Sequence, residues 1–297
     1  MVHALHGLGF APIMYIRDPR RPNFKTDDFI RIITRFVKSR VPVIALFPGH
    51  SITIIGHTFT PTPSPPVRLK VIPAHQFVSA LIYHDDAGGP YRLLPVTSQA
   101  RKQIEQQADP WRSTLLSPEK KWPTADDIRG VIFPLPPDVF LVGEGLTRGA
   151  NDLIELLAPH LRRLQSAINP LAAEFLQAAT SGHLVLRSYF MNSKKFKEQI
   201  ALSTNLSEHL RAFYQSLRLP LYVWISEFTT VDRYRDDETI LGEIISDATA
   251  NENDVSFISA HLPGMVLTRD VNTEKILLAP ISSGPVAHPS YNQPPLP

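Results

Sequence analysis

The sequence contains no cysteine, so the chain must fold without disulfides and without thiolate-bound metal ions. Its stability therefore depends on the burial of apolar side chains. With 297 residues, of which 43% are hydrophobic, the chain is long enough for one large domain or for two of ordinary size. The missing cysteine also excludes a thiol nucleophile within these residues.

The charge pattern excludes several kinds of partner. Charged residues make up 20% of the chain and the formal net charge is +2, so no broad field of one sign favours nucleic acid. No stretch approaches the run of about 18 apolar residues that a membrane span requires. Met1 to Pro22 lacks the basic start and continuous apolar stretch of a secretory signal, which predicts a folded, soluble cytoplasmic protein.

Local patterns predict a helix followed by a sheet in the first third of the chain. Residues Thr26 to Arg40 combine a capping threonine, an acidic first turn, an apolar stripe and a basic end, as in an amphipathic helix. The proline-rich segment from Thr60 to Pro66 is expected to be a surface excursion. Four β-rich runs predict strands at Val41 to Phe47, Ser51 to Phe59, Phe77 to Tyr83 and Tyr91 to Val96.

The remaining sequence predicts a helix-rich connector and then a second mixed region. A helical pattern from Thr147 to Thr180 is expected to end or kink near Asn169, because Pro170 follows. Beyond it, strands alternate with short helices, which favours an antiparallel sheet with helices on one face. The expected α+β organisation has four parts: 1–110, 111–182 (connector), 183–283 (C-terminal domain) and 284–297 (loose tail).

One pair of strands carries the residues best suited to chemistry. In PVIALFPGHSITIIGH a strand ends at a Pro-Gly turn, and His50 begins the next apolar strand. In VSALIYHDDAGGPYRLLPV another strand ends at Asp85 and Asp86, before a glycine-rich turn. If these strands are antiparallel neighbours, either carboxylate can accept the ring N–H of His50. Such a carboxylate fixes the tautomer and stabilises the imidazolium.

This arrangement resembles papain-like cysteine peptidases, specifically the bacteriocin-processing, double-glycine group. The resemblance covers about Ala4 to Val96, and its motifs are GHSITIIGH and IYHDDAGGPY. It implies that His50 is the general base and that Asp85 orients it. Asp86 is the alternative, because a one-residue slip in register exchanges the two aspartates. It also implies an incomplete papain-like domain, a helix plus an antiparallel sheet, over residues 1–110.

The sequence departs from that family at the nucleophile. The family's Cys, and the Gln that helps form its oxyanion hole, would lie upstream of the helix at Thr26, where the 25 preceding residues contain neither. Two explanations fit this departure: the chain is an N-terminally shortened product of a longer gene, which we favour, or it is a natural degenerate domain. The expected parent activity is peptide or isopeptide hydrolysis, or acyl transfer. The alternative is a non-catalytic binding or scaffold protein with a peptide or protein partner.

Other candidate sites have simpler explanations. No cofactor and no metal are expected, although His50, His57, His84 and Asp85 together offer zinc-type ligands. Ser51 is a poor nucleophile for His50, because neighbours on a strand point to opposite faces. Glu227 and Glu243 lie in two adjoining apolar strands, and exposed strand faces are the expectation for both. Asp236 and Asp237 are expected in a solvated turn.

Overall fold

The structure is a computed structural model that forms two compact units. They comprise Met1–Ser64 with Ala74–Pro137, and Pro65–Pro73 with Asp138–Pro297; they are called here the N-terminal and C-terminal units. The residues described are 1–17, 25–59, 71–106, 124–139, 143, 145–166, 169–204, 206–236, 239–250, 256–270, 273–281 and 286–287.

The N-terminal unit is built on a six-stranded sheet in which every neighbouring pair is antiparallel. Its strands are β1 (Ala11–Ile16), β2 (Val43–Phe47), β3 (His50–Phe59), β5 (Val78–Asp85), β6 (Gly89–Pro95) and β7 (Gly130–Leu135). They lie in the order β1-β7-β2-β3-β5-β6. The helices are α1 (Val2–Gly7), α2 (Thr26–Lys38) and α3 (Ser98–Gln106), with 3₁₀ turns at Ala74–Phe77 and Ala125–Asp127.

Helix α2 packs its apolar stripe against one face of this sheet. The Asp28 side chain accepts the N–H of Lys25, which satisfies one backbone donor at the helix start. Phe29, Ile33 and Phe36 are fully buried, and the Phe36 ring lies 4.3 Å from that of Phe133 on β7. The predicted helix at Thr26 is therefore confirmed, and it covers the sheet face that Ile52 and Ile54 of β3 share.

The C-terminal unit is built on a seven-stranded mixed sheet. Its strands are β4 (Val71–Pro73), β8 (Leu184–Asn192), β9 (Tyr222–Thr230), β11 (Gly242–Asp247), β12 (Phe257–Leu262), β13 (Met265–Arg269) and β14 (Ile276–Pro280). They lie in the order β14-β13-β12-β11-β9-β8-β4, and only the β4–β8 pair among these described strands is parallel. A separate two-stranded ribbon pairs β10 (Thr239–Ile240) with β15 (Val286–Ala287). The helices are α4 (Leu146–Ser166), α5 (Pro170–Ser181), α6 (Ser193–Leu202), α7 (Glu208–Ser216) and α8 (Val231–Asp236).

Helices cover both faces of the C-terminal sheet, so the expectation of helices on one face was wrong. Helices α4 and α5 form one apolar core with alternate sheet residues such as Leu186 and Phe228. Helices α6 and α7 form another with the residues between them, such as Tyr189 and Ile225. Burial on both faces explains why the central strands are apolar runs with little alternation.

The α+β class is confirmed, and most predicted helices and strands lie within a few residues of their predicted bounds. Asn169 caps α5 through the N–H groups of Leu171 and Ala172, at the predicted interruption before Pro170. Strand β7, placed by sequence in the connector, instead pairs with β1 and β2 in the N-terminal sheet. Asp236 ends helix α8 and does not lie in the expected turn.

Several sequence expectations concern residues outside the described ranges. They are the proline-rich excursion from Thr60 to Pro66, the boundary near residue 110, Asp237, and the tail apart from β15. Among the described residues no helix combines the length and apolarity needed to cross a lipid bilayer.

The close packing of β11 against β12 gives a first testable prediction. A Cβ added to Gly242 would overlap the carbonyl oxygen of His261, whereas one added to Gly149 of α4 would meet open space. We expect Gly242→Ala to destabilise the C-terminal unit by about 1–3 kcal/mol through overpacking. We expect the control, Gly149→Ala, to stabilise it by about 0.5–1 kcal/mol through helix propensity.

Urea unfolding followed by the fluorescence of Trp224 measures this difference. Trp224 is fully buried in β9, and replacing Trp111 and Trp122 with phenylalanine makes it the sole tryptophan of the chain. Equal midpoints for the two alanine variants would contradict the close approach of β11 to β12.

Candidate functional site

Two tight turns place His50 and Asp85 at the same end of the N-terminal sheet. The two-residue turn Pro48-Gly49, with Gly49 at φ 73°, reverses the chain so that Phe47 pairs with His50 at the start of β3. At the other turn Asp85 ends β5 and pairs with Gly89, which has φ 87°. A positive φ is a conformation that glycine adopts at no steric cost. Because β3 and β5 are antiparallel neighbours, the start of one lies beside the end of the other.

His50 and Asp85 form a hydrogen-bonded pair at this end of the sheet. The Nε2–H of His50 donates to Oδ1 of Asp85 over 2.8 Å. The His50 side chain is 21% exposed and that of Asp85 is 9% exposed, so the pair lies at the surface but is partly shielded. The predicted proximity of the imidazole to a carboxylate is therefore observed.

Asp86 lies beside this pair but does not replace Asp85. Its nearest carboxylate oxygen is 4.0 Å from Nε2 of His50, beyond hydrogen-bond range, and its side chain is 89% exposed. The alternation of side chains explains the difference, because Asp85 points to the same sheet face as His50 and the next residue points away. Of the two aspartates left open by the sequence, Asp85 is the one that contacts His50.

The turn after β5 also holds the Asp85 carboxylate in its ionised form. Partial burial alone would raise the pKa of Asp85, but hydrogen bonds outweigh it and hold the pKa below its ordinary value. The N–H of Ala87 donates to Oδ1 over 3.1 Å, and His50 donates to the same atom. Gly88 permits this arrangement, since a Cβ there would lie 2.9 Å from Oδ2 of Asp85.

The four residues considered for zinc do not converge. The His57 Nδ1–H donates to the carbonyl of Thr58, and burial lowers the pKa of His57 to about 3. His84 lies edge-on to the ring of Tyr91, 4.9 Å between centroids. Among the described residues the group that could hold a metal ion is instead His50, Asp85 and Asp86, whose ligand atoms lie within 4.8 Å of one another. A metal there would replace the hydrogen bond between His50 and Asp85.

Sequence reasoning missed a second histidine–aspartate pair in the same unit. His75 Nε2 lies 3.2 Å from Oδ2 of Asp27 in the first turn of α2. The hydrogen bond from His75 lowers the pKa of Asp27, while burial lowers the pKa of His75 itself. The Asp27 side chain is 59% exposed but that of His75 is only 4% exposed, so this pair tethers the 3₁₀ turn to α2 and its imidazole offers little surface to a substrate.

Glu227 and Glu243 are fully buried, so the expectation of exposed strand faces was wrong for both. Their strands, β9 and β11, are covered on each side by a helical layer. The sequence signal was present in the uninterrupted apolar runs around them, which are typical of strands buried on both faces.

Comparison of the chain with protein-family models, with curated proteins and with solved structures gave no match. The function must therefore be inferred from the chemistry of the groups described above. A shallow depression beside Asp85 is lined by Ser51, Thr53, His84, Asp85, Asp86 and Pro90, and His50 is not among its lining residues.

The hydrogen bond from His50 gives a second prediction. An ionised carboxylate only accepts hydrogen bonds, so neutral His50 must carry its proton on Nε2. We expect ¹⁵N–¹H long-range correlation spectra at mildly alkaline pH to show the Nε2–H tautomer for His50. In Asp85→Asn this preference should weaken, because the amide can either donate or accept.

Asp86→Asn is the matched control for this measurement. Asp86 is the aspartate next to Asp85 and lies outside hydrogen-bond range of the His50 ring, so its replacement should leave the tautomer of His50 unchanged. A spectrum dominated by Nδ1–H in the wild-type protein would contradict the pairing.

Proposed function

We propose that the N-terminal unit carries the proton-transfer half of a papain-like, cysteine-peptidase-like site. His50 acts as the general base and acid, and Asp85 orients it. The substrate class is a peptide, isopeptide or other acyl compound, and the reaction is hydrolysis or acyl transfer. The observation that carries this proposal is the 2.8 Å hydrogen bond between a partly exposed imidazole and an ionised carboxylate.

Three features of the pair support proton transfer over a purely structural role. A carboxylate beside the ring stabilises the imidazolium that forms when His50 takes a proton. Because Nε2 of His50 donates to Asp85, Nδ1 is the ring nitrogen that would exchange a proton with the substrate. The 21% exposure of His50 contrasts with the 4% exposure of His75, which also pairs with an aspartate in the described part of this unit.

The 297 residues supply no thiol nucleophile for this reaction. General-base catalysis requires the nucleophile within hydrogen-bond reach of the base. Since the sequence contains no cysteine, the thiol would have to come from outside these 297 residues. Ser51 does not fill this role, because it follows His50 directly on β3 and points to the opposite face.

The absence of that nucleophile supports a second candidate function, a non-catalytic binding or scaffold protein. In that case the shallow depression beside Asp85 and Asp86 would contact a peptide or protein partner without changing it. The His50–Asp85 pair would then serve only to hold the two turns together.

External thiol can replace the missing nucleophile and gives a third prediction. The substrates are an activated aryl ester and a small thiol. The thiol sulfur attacks the ester carbonyl to form a thioester, His50 accepts the proton of the thiol, and the aryl oxygen leaves as a phenolate. We expect the protein to accelerate this transfer, and we expect His50→Ala to lower the protein-dependent rate by about 10²-fold, the lower range for a general base. Asp85→Asn should lower it by a smaller factor, because the base remains but is no longer oriented.

Two matched variants separate catalysis at this site from nonspecific imidazole chemistry. Asp86→Asn and His75→Gln should retain the wild-type rate, since neither residue contacts His50 within hydrogen-bond range in the described structure. Equal rates for the wild-type protein and His50→Ala, with both folded, would reject the proton-transfer function and favour the binding protein.

A further inference from the structure

Four charged or titratable side chains form a continuous row across the C-terminal sheet. Arg187 on β8 pairs in register with Glu227 on β9, Glu227 with Glu243 on β11, and Glu243 with His261 on β12. Residues directly opposite each other on antiparallel strands point to the same face and lie close together. The row therefore crosses four neighbouring strands on a single face of the sheet.

Helices α6 and α7 bury this row completely. Glu227 and Glu243 have no exposed surface, His261 is 2% exposed and Arg187 is 4% exposed. The same face carries the apolar core of Phe196, Ile200 and Leu210. Charged groups in such surroundings are costly unless they are paired. Each titratable group of the row must therefore either lie beside an opposite charge or stay neutral.

One end of the row is a compensated ion pair. The Arg187 guanidinium donates to Oε2 of Glu227, and the Tyr189 hydroxyl donates to Oε1 of the same carboxylate over 2.7 Å. Tyr234 of α8 is also close enough to feel the charges of both Arg187 and Glu227. Glu227 is therefore a buried carboxylate with a positive partner and a phenol donor.

The other end has a different balance. Glu243 faces the charge of Glu227 on one side, the neutral phenol of Tyr214 from α7 above, and His261 on the other side. Neither ring nitrogen of His261 has a hydrogen-bond partner among the described residues. A buried imidazolium would need acceptors for both of its N–H groups, so His261 is neutral and does not compensate an ionised Glu243.

We propose that Glu243 is held in the sheet as a neutral carboxylic acid and makes the C-terminal unit a pH-sensitive structure. The unit is most stable under mildly acidic to neutral conditions and loosens when this carboxyl loses its proton. The ionised form would place two carboxylates opposite each other on neighbouring strands with solvent excluded, and the Arg187 guanidinium lies on the side of Glu227 away from Glu243.

The electrostatic environment agrees with this proton distribution. Burial raises the pKa of Glu243 to about 8, with the phenol of Tyr214 opposing the shift and the charge of Glu227 adding to it. Burial lowers the pKa of His261 to about 4. Burial also raises the pKa of Tyr214, so this phenol keeps its proton across the same range.

The direction of the pH dependence follows from these shifts. At pH values above 4.5, the ordinary pKa of Glu243, this residue takes up a proton when the chain folds. At pH values below 6.5, the ordinary pKa of His261, that residue releases a proton when the chain folds. The two effects oppose each other between these values and largely cancel. Above pH 6.5 only uptake by Glu243 remains, so stability falls as pH rises until about 8, where the folded carboxyl ionises.

Glu243→Gln tests the proposal, because glutamine has nearly the same shape and does not ionise. We expect the ratio of wild-type to Glu243→Gln unfolding constants to rise on the order of 50-fold between pH 6 and pH 8. Trp224 fluorescence in the single-tryptophan background reports unfolding of this unit. A ratio that stays constant over this range would overturn the proposal.

His261→Gln is the matched control on the neighbouring strand. It should remove the compensating contribution of His261, so that stability already falls with rising pH between about 4.5 and 6.5, and it should keep the loss above pH 6.5. If His261→Gln abolished the loss above pH 6.5, the pH-sensitive group would be His261 and the proposal would be wrong.

A direct titration keeps the proposal testable if Glu243→Gln does not fold. In the wild-type protein labelled with ¹³C-glutamate, the side-chain carboxyl of Glu243 should keep the chemical shift of the protonated form at pH 6 and titrate near pH 8. An ionised carboxyl throughout this range would overturn the proposal.

Discussion

The antiparallel pairing of β3 with β5 brings the first residue of one strand beside the last residue of the other. His50 and Asp85 meet because of this pairing, although 34 residues separate them along the chain. The two glycine-containing turns determine where each strand starts or ends. A shift of one residue in either strand would turn one side chain to the opposite sheet face and remove the hydrogen bond.

Exposure distinguishes the polar groups suited to chemistry from those that stabilise the fold. The His50–Asp85 pair keeps contact with solvent, so His50 can exchange protons with water. The imidazole of His75 and the row from Arg187 to His261 are buried, although the Asp27 carboxylate beside His75 is largely exposed. Similar residue types therefore have different expected roles, because burial determines what they can reach.

Local patterns predicted many elements of the fold correctly. Caps, prolines and apolar spacing located α2, the break before α5 and most strands, since these signals act within a few residues of one another. The assignment of β7 to the connector failed for the opposite reason. Strand β7 joins β1 and β2, which lie about 80 to 120 residues earlier, and no local pattern records such a pairing.

The candidate site was predicted in part. The sequence placed His50 at a strand start and two aspartates at a strand end, but the choice between Asp85 and Asp86 required the register of β3 with β5. It also contained Glu227 and Glu243 in apolar strands without showing what covered them. Their burial follows from α6 and α7 packing over that face of the sheet.

By itself, the sequence determined which groups are available to this protein: imidazoles, carboxylates and phenols, without any thiol. It also determined the local helices and turns, because these depend on neighbouring residues. Tertiary structure decided which groups meet and which carry a proton. Strand register sets their separations, and the helical layers set their exposure to water, which fixes the free-energy cost of each charge.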